Sequence, residues 1–236
     1  MTQYLFSMNT PIRKTFQRHT PLKRLTGFVL VCLLTAMQFN AAAQKVMNQP
    51  ATTNTPPAMP EDISPLLIGE QIPAMVLPDK DGNLFNVNKA VMEKPTILVF
   101  YRGGWCPFCT KQLSGLQDIN TDLNKKGFQV IAVSTDAPEM LKNAATKEKL
   151  EYTLLSDADL NLAQKFGIAF KAPESYASLL TKNSGGKDKD LLLPVPSVFI
   201  LDKKGAIRFE YINPDFKQRI SSSLLLAAAQ ALYDEL

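Results

Sequence analysis

Apolar and polar positions change period several times along the chain, and each change predicts a new element of secondary structure. Continuous apolar runs rich in β-branched residues, such as TILVFY at 96–101 and FQVIAVS at 128–134, are typical of strands buried on both faces. From Pro107, apolar residues recur every three or four positions until Gly127, a spacing that predicts a helix. On these patterns we predict strands at 96–101, 128–134, 152–157, 197–202 and 206–212, and helices at 107–126, 138–150, 158–167 and 215–233.

Turn residues connect these predicted elements. Asp81-Gly82 lies between two short apolar runs within 75–87 and predicts an N-terminal hairpin. Lys203-Lys204-Gly205 joins the last two strands, and Asp157 is placed to cap the helix that follows it. Residues 171–193 are polar and interrupt the pattern, so we predict a solvated loop there. Strands that alternate with helices predict an α/β domain with a mixed central sheet and helices on both faces.

The first 43 residues have the pattern of a secretory signal. A basic segment precedes an uncharged, mostly apolar run from Leu25 to Met37, and Ala41–Ala43 offers a cleavage site before Gln44. The apolar run has 13 residues, fewer than the ~20 that a transmembrane helix needs, so we expect cleavage rather than a retained membrane anchor. We therefore predict export, to the periplasm, without stable membrane insertion after cleavage. Residues 44–61 are rich in Pro and Thr and predict a flexible tether, which leaves one domain at 62–236.

Removal of the predicted signal changes the charge balance and the inventory of reactive side chains. Residues 1–43 contain five basic and no acidic residues, so 21 basic residues remain against 22 acidic ones. A nearly neutral chain gives no basis for a nucleic acid or an anionic membrane as partner. The only histidine, His19, and one of three cysteines, Cys32, also lie in the signal. The predicted mature chain therefore has no histidine and two cysteines, Cys106 and Cys109.

These two cysteines form a C-x-x-C motif where a buried strand leads into a helix. We expect Cys106 at the helix N-terminus and Cys109 one turn later on the same face, so their sulfurs can meet. Free backbone N–H groups and the positive end of the helix dipole stabilise a thiolate at Cys106. Pro107 suits the first helical turn, where a missing N–H costs little. The motif therefore predicts a redox pair.

Side chains around the motif are candidates for tuning it. Arg102 and Lys111 are placed to add positive potential, and Trp105 is placed to shield one side of the site.

Other uses of two cysteines fit the sequence less well. A structural disulfide across three residues closes almost no loop, and its chain-entropy stabilisation is therefore small. Structural zinc takes about four Cys or His ligands, which the predicted mature chain does not have. Attachment of a c-type haem needs histidine at position 110, where Thr110 stands. We therefore predict no metal and no cofactor.

Four segments together resemble a known family. They are IGEQIPAMVLPDKDG, TILVFYRGGWCPFCTKQLSGL, FQVIAVSTD and PSVFILDKKGAIRFEY. They are similar to the thioredoxin-fold superfamily and, more narrowly, to the alkyl hydroperoxide reductase/thiol-specific antioxidant group, the peroxiredoxins and their relatives. The resemblance covers about residues 66–233. It implies a thioredoxin-like fold with the 75–87 hairpin as an N-terminal extension.

The two branches of this superfamily imply different roles for the cysteines. In thioredoxin-like proteins the first cysteine of WCxxC attacks, which would be Cys106, and Cys109 would resolve the mixed disulfide. In peroxiredoxins the peroxidatic cysteine falls on Cys109, and Cys106 stands where that family has a helper Thr or Ser. The family's helper arginine falls on Pro196. Arg102 and Arg208 are the candidates to replace it.

Pro196 matches a thioredoxin feature instead. The Pro-Val-Pro-Ser segment is similar to the cis-proline loop that faces the C-x-x-C motif in thioredoxins. The hypothesis that follows is a cis Val195–Pro196 bond packed against Cys106.

The resemblance and the motif together support an enzyme. Our first interpretation is an exported thiol–disulfide oxidoreductase with Cys106 as nucleophile, acting on a protein or small-molecule disulfide and re-reduced by an unidentified thiol donor. The alternative is a thiol-dependent peroxidase with Cys109 as peroxidatic and Cys106 as resolving cysteine. A third interpretation is a non-enzymatic binding module.

Overall fold

The computed structural model describes residues 55–235 of the 236-residue chain. The predicted signal at 1–43 and most of the predicted tether lie outside the described residues. Where the described chain begins, it contacts the domain: the Lys171 N–H donates to the Pro57 carbonyl (2.8 Å), and Pro60–Asp62 form a turn of 3₁₀ helix. Among the described helices, none is long and apolar enough to cross a bilayer.

A five-stranded mixed sheet forms the centre of the domain, in the order β5-β4-β3-β8-β9. Strand β3 is its middle, parallel to β4 and antiparallel to β8, and all six of its residues are buried. Two further antiparallel pairs, β1-β2 and β6-β7, lie outside this sheet. The strands are β1 (Val76–Pro78), β2 (Leu84–Asn86), β3 (Thr96–Tyr101), β4 (Gln129–Ser134), β5 (Thr153–Ser156), β6 (Ala169–Lys171), β7 (Leu192–Pro194), β8 (Ser197–Leu201) and β9 (Ile207–Ile212).

Helices cover both faces of the sheet, because side chains along β3 point alternately to either side. Ile97 and Val99 pack in one buried cluster with α2, α3 and α6, whereas Leu98 and Phe100 pack in a second cluster with α1 and α4. The α/β fold class is thus confirmed. The helices are α1 (Val87–Glu93), α2 (Pro107–Lys125), α3 (Pro138–Glu148), α4 (Asn161–Lys165), α5 (Ala177–Asn183) and α6 (Ser222–Leu232).

One edge of the sheet collects the loops that matter for chemistry. The parallel strands β3, β4 and β5 all end at this edge, and β8 begins there because it runs antiparallel to β3. We call it the carboxyl edge. The loops at 102–106 and 135–137 meet there, where the Thr135 hydroxyl donates to the Arg102 carbonyl (2.9 Å).

Two segments differ from the sequence prediction. Residues 171–193 are not a solvated loop: they contain α5 and β7, and Leu180 and Leu192 are buried. The last helix begins at Ser222 rather than near Asp215, because the Ser221 side chain accepts from the Leu224 N–H and caps the helix there. In the first segment tertiary packing overrides the local pattern, and in the second an N-cap sets the start of the helix.

Gly167 allows the chain before β6 to pass close to residue 64. Its φ is +67°, and a Cβ there would lie 1.9 Å from the Ser64 carbonyl oxygen. We expect Gly167→Ala to lower the free energy of unfolding by at least about 2 kcal/mol, measured by urea denaturation. Gly186→Ala is the control, since Gly186 also has a positive φ (+77°) but no atom within 4 Å of the added Cβ. Equal losses of unfolding free energy in both variants would show that the positive φ, and not the contact with Ser64, causes the loss.

Candidate redox site at the start of helix α2

The two cysteines lie at the carboxyl edge, at the start of α2. Cys106 is the N-cap residue and Pro107 occupies the first turn, as the sequence predicts. Cys109 follows one turn later, and the Thr110 N–H closes that turn on the Cys106 carbonyl (3.0 Å). Both cysteines are buried and carry free thiols.

The pKa values of the two cysteines are shifted in opposite directions. The thiol and the backbone N–H of Cys109 favour the Cys106 thiolate, and the nearby charges of Arg102 and Arg219 act in the same direction. Together they outweigh burial and lower the pKa of Cys106 to about 5. Burial and the neighbouring Cys106 thiolate raise the pKa of Cys109. The pair therefore favours a thiolate at Cys106 beside a thiol at Cys109.

Arg102 lies between three aromatic rings. Its guanidinium carbon is 5.1 Å from the ring centre of Trp105, 5.0 Å from Tyr176 and 4.3 Å from Phe216, all within cation–π range. The side chain is 4% exposed and its Nε has no hydrogen-bond partner. Arg102 is therefore a buried cation held near Cys106, and Trp105 forms one wall of its surroundings.

A second arginine contacts the pair directly and was missed from the sequence. Arg219 Nη2 lies 3.4 Å from Cys109 Sγ, whereas its buried Nε and Nη1 have no hydrogen-bond partner. It comes from the segment before α6, 110 positions from Cys109, and no motif marks it. Arg208, a sequence candidate for this place, lies beside Ile207 near the opposite edge of the sheet, where Ile207 pairs with the end of β8. Lys111 is exposed on α2, so it is not among the cations that act on Cys106.

A buried carboxylate holds the segment that leads to Cys106. Asp136 Oδ2 accepts from the Gly104 N–H (2.6 Å) and the Ser134 hydroxyl (3.3 Å). Burial raises the pKa of Asp136 to about 6, although the Gly104 and Ser134 bonds oppose the shift. A Cβ at Gly103 would lie 2.2 Å from Trp105 Nε1 and 2.8 Å from Asp136 Oδ1, so only glycine fits there. Asp136 and Gly103 together therefore fix the loop before the cysteines.

The raised pKa of Asp136 makes a prediction for stability against pH. The folded state binds this proton more tightly than the unfolded chain does, where an aspartate has a pKa of ~3.9. Stability from this group is therefore present below pH ~4, falls as pH rises toward about 6 and is level above that. Between pH 4 and pH 7, we expect the free energy of unfolding of the wild type to fall on the order of 2–3 kcal/mol more than that of Asp136→Asn. Urea unfolding of both proteins at the two pH values measures it, and parallel pH profiles would contradict it.

Pro196 borders a cavity next to Arg102. The cavity has a volume of about 390 Å³, and its wall includes Arg102, Tyr176, Pro196 and Phe216. Pro196 is buried, and its carbonyl accepts from the Asn213 N–H (3.4 Å). Whether the Val195–Pro196 bond is cis, and whether Pro196 packs against Cys106, stay predictions. The described residues contain no cluster of three or more His, Cys, Asp or Glu side chains able to hold a metal ion.

Comparison with known proteins decides the family. The model of the AhpC/TSA family matches residues 68–210, which is more than half of the chain. The chain belongs to the AhpC/TSA family. Among curated AhpC/TSA relatives, peroxiredoxin Bcp of Escherichia coli K12 is 34% identical over 155 residues, covering 66% of this chain and 90% of the relative. The chloroplastic peroxiredoxin Q of Populus jackii is 30% identical over 145 residues, or 61% of this chain and 60% of the relative.

Solved structures show the same fold. The peroxidoxin BcpB of Mycobacterium tuberculosis superposes with a TM-score of 0.58 at 20% identity, over 72% of this chain and 97% of the other. The peroxiredoxin Q of Xanthomonas campestris gives 0.54 at 21% identity, over 67% and 91%. The thioredoxin-like fold predicted from the sequence is confirmed.

Membership of the AhpC/TSA family also confirms that the chain is an enzyme of thiol redox chemistry. Its curated relatives are named peroxiredoxins, which favours the peroxide alternative over our first interpretation, thiol–disulfide exchange.

Proposed function

We propose that the chain is a thiol-dependent peroxidase whose Cys106 thiolate attacks the peroxide. The observation that carries the proposal is the position of Cys106 at the N-cap of α2, next to Cys109, Arg102 and Arg219, which all lower its pKa, in a chain related to peroxiredoxins. Thiolates, not thiols, are the nucleophiles of cysteine chemistry. The proposal keeps the peroxide chemistry of the sequence alternative and assigns the first attack to the other sulfur.

The reaction oxidises the pair by two electrons. The Cys106 thiolate bonds to one oxygen of the peroxide, the O–O bond breaks, and the other oxygen leaves as an alcohol or water after taking up a proton. Cys106 is then a sulfenic acid. The Cys109 sulfur attacks the Cys106 sulfur, hydroxide leaves and takes the Cys109 proton as water, and a Cys106–Cys109 disulfide remains. An external thiol donor restores the reduced pair.

Two arginines supply what the family pattern lacks. A peroxide needs fixed donors for the leaving oxygen, and the family's arginine and hydroxyl positions are Pro196 and Cys106 in this chain. Arg219 and Arg102 bring buried N–H groups without a partner close to the pair: Nε and Nη1 of Arg219, and Nε of Arg102. We propose that these groups polarise the O–O bond.

The direct test is peroxide consumption by the reduced protein without its first 43 residues. Hydrogen peroxide and cumene hydroperoxide are supplied with dithiothreitol as donor, and loss of peroxide is followed. We expect turnover that stops when both cysteines are replaced by serine. Peroxide loss no faster than with that double variant would reject the proposal.

Thiol–disulfide exchange remains the second candidate, because one observation favours it. A low-pKa cysteine at a helix N-cap beside a protonated partner is also what disulfide exchange requires. In that case Cys106 attacks a disulfide sulfur, and Cys109 releases the product. The rate with an oxidised dithiol, set against the rate with peroxide, separates the two candidates.

Export to the periplasm is a separate proposal, supported by the sequence of residues 1–43. Expression of the full chain with a C-terminal tag, followed by cell fractionation, tests it. We expect periplasmic protein whose first residue is Gln44. Intact Met1 or Met8 on cytoplasmic protein would contradict it.

A further inference from the structure

A second cavity lies between α2 and the segment that leads into α6. Its volume is about 490 Å³, within the range of small-molecule sites. Arg219, which contacts Cys109 Sγ, forms part of its wall. The Arg219 side chain therefore connects the cavity to the redox pair.

The charged side chains that line this cavity are all basic. Lys111, Lys217 and Arg219 line it, and none of its lining side chains is acidic. Phe108, Leu116 and Leu225 supply apolar wall. Such a surface fits a small anion with an apolar part.

Three buried polar atoms on the lining residues have no hydrogen-bond partner. Nε and Nη1 of Arg219 are donors, and Oε1 of Gln112 is an acceptor. Buried polar groups are rarely left unpaired, and each unpaired group in a native structure needs an explanation. A guanidinium N–H donates well to a carboxylate oxygen, and the Gln112 oxygen can accept from an amide or amine N–H on the same ligand.

We infer that this cavity binds the reductant of the oxidised pair, an amino-acid or peptide thiol with a free carboxylate, whose sulfur attacks Cys109. The inference rests on the proposed function for the existence of a Cys106–Cys109 disulfide. The basic lining favours the reductant over the peroxide, because simple peroxides are neutral at pH 7 whereas a reducing thiol acts as its thiolate.

Electrons and atoms balance over two steps. The reductant thiolate bonds to Cys109 Sγ, the Cys106–Cys109 bond breaks, and its electron pair leaves on Cys106. A second reductant thiolate attacks the sulfur of the bound reductant, which forms the reductant disulfide and releases Cys109, which takes up a proton. The low pKa of Cys106 supports this direction, since a thiolate of lower pKa leaves faster.

The test uses two thiols that differ in one charge. The protein without residues 1–43 is oxidised with diamide, so that the reductive half is measured whatever the natural oxidant is. Reduction by N-acetylcysteine and by its methyl ester is then followed by the fluorescence of Trp105, the only tryptophan of the sequence. Rates are compared per thiolate, because the two thiols differ in pKa.

We expect the wild type to prefer the carboxylate. Replacing Lys111 and Lys217 by glutamine should slow N-acetylcysteine about tenfold and change the ester less than twofold. The matched control, Lys203→Gln with Lys204→Gln, removes the same charge from exposed lysines of the β8-β9 turn, near the opposite edge of the sheet, and should change neither rate.

Two results would overturn the inference. One is equal per-thiolate rates for the acid and the ester in the wild type. The other is an equal slowing of both thiols by the Lys111 and Lys217 changes, which would indicate a structural effect. A failure of the proposed function shows separately, as a wild type that does not consume peroxide.

Discussion

Replacing Cys106 with serine is expected to lower peroxide consumption at least roughly 10³-fold, because a serine hydroxyl does not ionise near neutral pH and the nucleophile is the thiolate. The low pKa depends on position as much as on residue type. The thiol and backbone N–H of Cys109 and the charges of Arg102 and Arg219 all lower the pKa of Cys106. Steady-state peroxide consumption with dithiothreitol as donor measures the loss.

Cys109→Ser is the matched control for this change. The variant keeps the backbone N–H that helps to lower the pKa of Cys106 and places a hydroxyl donor where the thiol was. We expect it to keep the first oxidation step and to turn over with dithiothreitol, which can reduce the sulfenic acid directly. A Cys109→Ser variant as inactive as Cys106→Ser would contradict the assigned roles.

Arg219→Met is expected to have the second largest effect, a loss of about 10²-fold in the rate of oxidation by peroxide. Methionine fills similar space but removes three N–H-bearing nitrogens, one of them 3.4 Å from Cys109 Sγ and two buried without a partner. Loss of the charge also removes one cause of the low pKa of Cys106. Stopped-flow oxidation of the reduced variant at pH 7 and pH 9 separates the two contributions, because the pKa contribution disappears at high pH.

Two further variants make the Arg219 result interpretable. Arg219→Lys keeps the charge and should recover part of the rate, whereas Arg208→Met removes an arginine near the opposite edge of the sheet and should change little. If Arg208→Met slowed oxidation as much as Arg219→Met, a local role for Arg219 would be ruled out.

Much of the fold could be predicted because local pattern and tertiary environment agree. TILVFY is β-rich and apolar throughout, and β3 is indeed buried along its whole length at the centre of the sheet. The prediction of a solvated loop at 171–193 was wrong because a few buried leucines, among them Leu180 and Leu192, lie within a polar segment. The predicted start of α6 near Asp215 was wrong because Ser221 caps the helix, and because Arg219 and Ile220 before it contact the site and the core. Hydrophobic periodicity records none of these contacts.

The candidate site was predictable only along the motif itself. Cys106 as N-cap and Pro107 in the first turn follow from local helix rules. The surrounding groups come from distant segments: Asp136 from the loop after β4 and Arg219 from the segment before α6. Only the fold brings these side chains together, so spacing in the sequence carries no trace of them.

The measurement that tests the central claim most directly is the site of the first oxidation. Reduced wild type, Cys106→Ser and Cys109→Ser are mixed with equimolar hydrogen peroxide in a stopped-flow instrument, and dimedone then traps sulfenic acid for mass spectrometry. We predict that Cys109→Ser reacts at a rate near that of the wild type and is labelled at Cys106, while Cys106→Ser is slow and unlabelled. Fast oxidation of Cys106→Ser with label on Cys109 would contradict the account.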